Sequence, residues 1–252
     1  MNAPGQSTTL ISDLIPKVKA ALQNRSDVTE DAAQQPNPEM RPSAWIRDAL
    51  REITESQPFE ELRTTGPRVP LIPGQYAYPV SYFLNSGDDV TLMEDPVIFL
   101  YSPASQQVSY PMDYLTPKAI APLLNIQGGV PFKYTRYGKQ FWFGTNPGQA
   151  YIVYLPYQIR HPFSDSDLKN STVMVPPSWL DIVAYAAAER GAVNLRWSEQ
   201  STFLHTLLYG DPASMNKDGT LNRPGLIAAR VFQIERDRRL STVQLTAFAQ
   251  RY

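Results

Sequence analysis

Residues 128–157, GGVPFKYTRYGKQFWFGTNPGQAYIVYLPY, decide the fold class. Aromatic and β-branched runs alternate with glycine, proline and asparagine at short intervals, which is the pattern of strands and turns. Tyr137-Gly138-Lys139 marks a hairpin turn between Phe132–Tyr137 and Gln140–Phe143, and the run after Gly148 is expected as its third strand. Upstream, Gln75–Tyr82, Val90–Met93, Val97–Tyr101 and Gln107–Tyr110 carry the same signal. They are separated by turn sequences such as Pro73-Gly74 and Ser86-Gly87-Asp88. Residues 61–172 hold more than half of the chain's 23 prolines. Proline cannot donate to a ladder, so these belong on edges and in turns. The segment is expected to form a small antiparallel sandwich or barrel.

The flanks have a different period. In 1–60, Leu14, Ile15, Val18, Ala21 and Leu22 share one helical face, with Ser12 as the expected N-cap and Pro16 near the first turn. Residues 31–42, DAAQQPNPEMRP, are a loop. Ser43 is the expected cap of a second helix with the stripe Trp45, Ile46, Ala49, Leu50 and Ile53, closed by Pro58. In 173–220, Pro177 opens a helix whose apolar face runs through Trp179, Ile182, Val183, Ala186, Ala187, Val193 and Leu195. Phe203, Leu204, Leu207 and Leu208 make another stripe, ending at Gly210. The expectation is an α+β chain, a helical bundle interrupted by an inserted β domain. Residues 221–252 add a basic helix and an extended C-terminal arm.

Composition narrows the chemistry. The 252 residues include no cysteine, which excludes disulfides, thiolate metal sites and cysteine nucleophiles. The two histidines, His161 and His205, lie 44 positions apart and read as structural. Neither phosphate-cradling glycine loops nor a G-x-S-x-G elbow is present. No stretch reads as a signal peptide or a membrane span, so the protein is expected to be soluble. A carboxylate-based hydrolase would draw on Asp88, Asp89, Glu94, Asp95, Asp113, Asp165 and Asp167, each of which also suits a loop or turn. The aromatics Tyr76, Tyr78, Tyr82, Phe132, Tyr134, Tyr137, Phe141, Trp142 and Phe143 suit a core or subunit interface, or alternatively a stacking platform for a sugar or base. No catalytic residue, cofactor or metal is expected.

Charge is uneven. The formal net of −1 averages an acidic body with 221–252, where six Lys/Arg face two Asp/Glu. Arg230, Arg236, Arg238 and Arg239, with Phe232, Leu245, Phe248 and Tyr252, make that segment the candidate partner-binding element. Arginine is the cation suited to bidentate interface pairs.

The order of four stretches resembles the head-to-tail connector, or adaptor, proteins of tailed bacteriophages. They are the opening helix SDLIPKVKAAL, the helix SAWIRDALREITE, the β insert from VPLIPGQYAYPVS through 128–157, and the return VPPSWLDIVAYAAAERGA. The likeness covers roughly residues 10–200, and the large β insert is similar to podovirus-like necks. It implies a structural virion protein that forms an oligomeric ring, commonly of twelve subunits. Such a ring bridges the portal protein to a tail or nozzle protein and lines a channel through which DNA passes. Assembly would take place in the host cytoplasm, without membrane contact, and the basic arm would meet the portal. Other readings are a stopper or nozzle component, a carbohydrate-binding module, or a cell-wall hydrolase.

Overall fold

A computed structural model describes residues 9–101, 107–164, 166–211 and 224–233, and these residues hold several helices and a set of short strands. The helices are α1 (Ile11–Ala21), α2 (Pro42–Ser56), α3 (Pro117–Ile120), α4 (Leu180–Asn194) and α5 (Ser198–Tyr209). A further helical stretch covers 226–233. The chain divides into two units, Met1–Ile53 with Pro162–Tyr252, and Thr54–His161. This is an α+β fold with a β domain inserted into a helical one.

In the helical unit, α1 buries Ile11, Leu14 and Val18, and Leu22 follows at its end. Ser12 does not cap it. The helix starts at Ile11, two residues earlier than a Ser12 cap implies, and the Leu10 N–H donates to the Asp13 carboxylate at 2.8 Å. Pro16 therefore lies past the first turn and forgoes the bond its N–H would make to Ser12. Likewise Pro42, at the first position of α2, displaces Ser43 from the cap. Ser43 instead donates its backbone N–H and its hydroxyl to the Glu30 carboxylate. That anion also suits the positive end of the helix.

The stripe Trp45, Ile46, Ala49, Leu50 and Ile53 is buried as its period requires. Each large side chain there contributes roughly 2 kcal/mol of burial. Helix α4 packs against α1 and α5. Its buried face centres on Ala184, Ala187, Ala188 and Gly191, small residues that let neighbours approach. Val193 and Phe203 were expected in apolar stripes but are 59% and 60% exposed. Phe203 sits one residue, or 100° of helix, from buried Leu204, and α5 spends its core face on Leu204 and Leu208.

The β unit contains four small sheets among the described residues. Arg63–Thr65, Pro156–Ile159 and Val90–Met93 form one. Ala77–Pro79, Gln140–Gly144, Lys133–Tyr137 and Asp113–Tyr114 form the second. Val69–Leu71, Tyr151–Tyr154, Val97–Tyr101 and Gln107–Pro111 form the third, and Asn146–Pro147 pairs with Gln127–Gly129 in the fourth. Pairing is antiparallel except for two short parallel contacts. Pro70, Pro79 and Pro111 sit on edge strands, and Pro156 is the first residue of a central one. In each place the missing N–H is tolerated.

The hairpin at Tyr137-Gly138-Lys139 forms, with Gly138 at φ +59° and Tyr137 opposite Gln140. Its third strand is not the run after Gly148. Gln140–Gly144 pairs on its other side with Ala77–Pro79, while Tyr151–Tyr154 enters a different sheet. Thr145, at φ +63°, turns the chain out of the hairpin's sheet into the parallel contact of Asn146–Pro147. The core holds Tyr78, Phe83, Phe141, Phe143 and Tyr157. Phe83 meets Phe141 edge-on at 5.5 Å, and Tyr78 meets Phe143 at 5.7 Å. Such pairs add about 0.5–1.5 kcal/mol beyond burial. Buried Gln158 ties down the start of the unit. Its amide donates to the Thr54 and Gln57 carbonyls and accepts the Phe59 N–H at 2.6 Å.

Candidate functional site

The candidate partner-binding residues begin where the chain returns after α5. Gly210 and Pro224 form an antiparallel bridge, and the helical stretch 226–233 follows. Arg230 is half-buried there and donates to the Gln233 side chain at 2.8 Å. Phe232 is 68% exposed, a free apolar anchor. Arg236, Arg238, Arg239, Leu245, Phe248 and Tyr252 lie outside the described residues, as does Asp165.

Beside this root, the helical unit holds a groove of about 520 Å³ whose walls come from α2, α4 and α5. Asp48 and Glu52, one helical turn apart on α2, line it together with Glu189 and Arg190 of α4. Arg190 is paired with Glu52. Arg47 bonds Asp48 at 2.8 Å and Glu39 at 2.7 Å, and these bonds hold its pKa above the ordinary arginine value. On α5, the His205 Nδ1 lies 2.7 Å from a Glu189 oxygen, and its ring lies 4.7 Å from that of Tyr209 at a tilt of 36°. The Tyr209 hydroxyl donates to Glu52 at 3.3 Å. The periodicity of the sequence did not reveal this site. Asp48 and Glu52 fall off the α2 stripe, but nothing local places Glu189 opposite them.

Burial, and then the negative charges of Glu52 and Glu189, push the Tyr209 pKa up to about 12. The phenol therefore holds its proton more tightly when folded. Its contribution is complete below the unfolded value near pH 10 and is lost as pH rises through about 12. Tyr209→Phe is expected to flatten the fall in stability of the helical unit across that window. Denaturant titrations at several alkaline pH values measure it; an unchanged slope would contradict this account.

The carboxylates considered for hydrolysis are engaged elsewhere. Asp88 accepts the Tyr157 hydroxyl at 2.5 Å, and Asp95 accepts that of Tyr134 at 2.5 Å. Asp89 pairs with Arg160, Glu94 with Arg63, and Asp113 with Lys133, while Asp167 accepts from Asn170. Glu94 and Asp95 do share a groove of about 500 Å³ with Arg63 and Tyr154. Burial and the Asp95 carboxylate both raise the Tyr134 pKa. Among the described residues, no group of three or more His, Asp or Glu side chains is placed to hold a metal. No described helix is long and apolar enough to cross a membrane.

The aromatics divide. Tyr78, Tyr134, Phe141 and Phe143 are core, whereas Tyr76, Tyr82, Phe132 and Tyr137 are exposed. Trp142, half-buried, lies 4.6 Å from the Tyr137 ring and 6.0 Å from that of Tyr76. His161 is buried at the end of the β unit.

A family model described as SU10 adaptor protein matches residues 9–217. No curated protein matches the chain.

Proposed function

The chain belongs to the SU10 adaptor protein family, a family of phage structural adaptors, and from that premise we propose a specific place for it in the virion. It forms an oligomeric ring, of about twelve subunits by likeness to connectors, in a podovirus-like neck between the portal and the tail or nozzle protein. DNA passes through the ring. The observation that carries this reading is the family match, which spans both units of the fold.

The site chemistry supports it. The described carboxylates proposed for hydrolysis hold tyrosines, arginines, a lysine and an asparagine in place. That is a scaffolding use of charge, and the reading is therefore non-enzymatic. Exposed aromatics such as Tyr82, Tyr110, Tyr114 and Tyr137 suit contacts with neighbouring subunits, because aromatic side chains dominate interface energetics. An acidic or neutral body lets DNA slide, whereas a basic lining would grip phosphates. The portal contact is assigned to Arg230 and Phe232 together with Arg236, Arg238, Arg239, Leu245, Phe248 and Tyr252. Subunits assemble onto the portal in the host cytoplasm.

Deleting 241–252 is expected to abolish tail attachment while leaving the helical core folded. Electron microscopy of purified protein mixed with portal checks attachment, and circular dichroism of the truncated chain checks that the helical core stays folded. Rings of portal symmetry with the full chain, and bare portals with the truncated one, are the expected result. Normal attachment by the truncated chain overturns the assignment of the arm.

A further inference from the structure

We propose that the hairpin tip, residues 136–140, of one subunit docks into a groove on the β unit of the next. The groove, of about 500 Å³, has an apolar floor of Met93, Val97, Pro111, Tyr154 and Pro156. A space of that size holds a few side chains. The Tyr154 ring lies 4.9 Å from that of Phe99, which fixes it as a firm wall. On the rim, Glu94 is paired with Arg63. Asp95 is exposed, and among the described residues only its Oδ1 is engaged, by the Tyr134 hydroxyl.

Charge and shape within the same unit, Thr54–His161, identify the occupant. No Asp or Glu occurs between Asp113 and Asp165, so every carboxylate of the β unit lies before Tyr114. Lys133 and Arg160 pair with Asp113 and Asp89, but Arg136 and Lys139 make no ion pair among the described residues. Residues 136–140 are all exposed, and Tyr137, at 56%, stands between those two cations in the chain. Its ring packs 4.6 Å from that of Trp142, whose Nε1–H donates to Gln140 at 3.2 Å. The Tyr137 ring is thus held in place before binding, which lowers the ordering cost of association. An aromatic anchor flanked by cations fits an apolar floor edged by an unneutralised carboxylate. The tip cannot fill its own groove. Tyr134 already reaches that rim through Asp95, and Tyr137 lies three residues, about 10 Å, further along a strand locked in register with Gln140–Gly144. Knob and groove are different surfaces of one unit, so the contact runs head to tail and closes into a ring or extends as a filament. It rests on the ring reading above and names where adjacent subunits meet.

The absence of cysteine makes the test direct. Two full-length chains are produced together, one with Gln140→Cys on the hairpin and one with Pro111→Cys on the groove wall. A tag on one chain makes the three possible pairs differ in mass. A short bis-maleimide, added to the protein alone and with portal, is expected to link unlike chains. Arg136→Glu and Lys139→Glu in the hairpin chain should slow that link about tenfold. Asp95→Asn in the groove chain, which still accepts the Tyr134 hydroxyl, should slow it about threefold. All three positions are exposed, so circular dichroism should not change. Linkage of two hairpin cysteines or of two groove cysteines overturns the proposal, as does no linkage under either condition. A rate indifferent to the charge changes overturns it as well. Electron microscopy of the unaltered chain scores the ring separately. Rings without the unlike link remove this contact alone, whereas the link with open filaments keeps the contact and removes the ring.

Discussion

Gly66→Ala is expected to destabilise the β unit by about 3 kcal/mol or more. An added Cβ would lie 1.8 Å from the Phe83 carbonyl oxygen and 3.3 Å from the Tyr157 ring. The near obstacle is backbone and cannot rotate aside. Gly66 cannot retreat either, because its N–H donates to the Leu155 carbonyl at 2.9 Å. Phe83, fully buried, contacts Tyr78, Phe141 and Phe143, so any shift of its backbone moves the aromatic core. A domain is stable by only about 5–15 kcal/mol, so this loss is a large share. Amide exchange across 54–161 reads the β unit apart from the helical one. Protection there should fall while that of α4 holds. A loss below about 1 kcal/mol would show that the close approach of Gly66 and Phe83 relaxes freely.

Gly191→Ala tests the helical unit and sets two effects against each other. Alanine in a helix interior is favoured over glycine by about 1 kcal/mol. Here its Cβ would fall 2.5 Å from Cζ3 and 2.6 Å from Cε3 of Trp45, and 3.0 Å from Leu22 Cδ1. Trp45 is buried and anchored by its Nε1–H to the Glu39 carbonyl at 3.1 Å, so the ring has little room to yield. Overpacking should win, with a net loss of about 2 kcal/mol. Trp45→Phe makes space, so the double variant should lose less than the sum of the two single ones. Denaturant unfolding followed at the helical signal measures each. A Gly191→Ala chain more stable than the parent would refute the packing account.

Local patterning made several elements legible. The α2 stripe, the strands Val90–Met93 and Val97–Tyr101 and the hairpin at Gly138 follow from periodicity and turn chemistry that neighbours in sequence carry. Helix starts were less legible, since Asp13 and Glu30 took the roles expected of Ser12 and Ser43. Glu30 reaches its helix from thirteen residues away, beyond any capping pattern. The candidate site was legible only as composition. A basic run could be seen at 221–252, but not the carboxylates of α2 and α4 facing each other beside its root.

The chain's alternation of period, helical at both ends and strand-like between, by itself determined the α+β class and the inserted β domain, because each period requires a different backbone to bury its apolar side. Tertiary structure alone decided which strands share a sheet, why Val193 and Phe203 remain exposed, and where acidic side chains converge. Those outcomes depend on contacts between residues far apart in sequence. Their energies come from surfaces that exist only once the elements have packed.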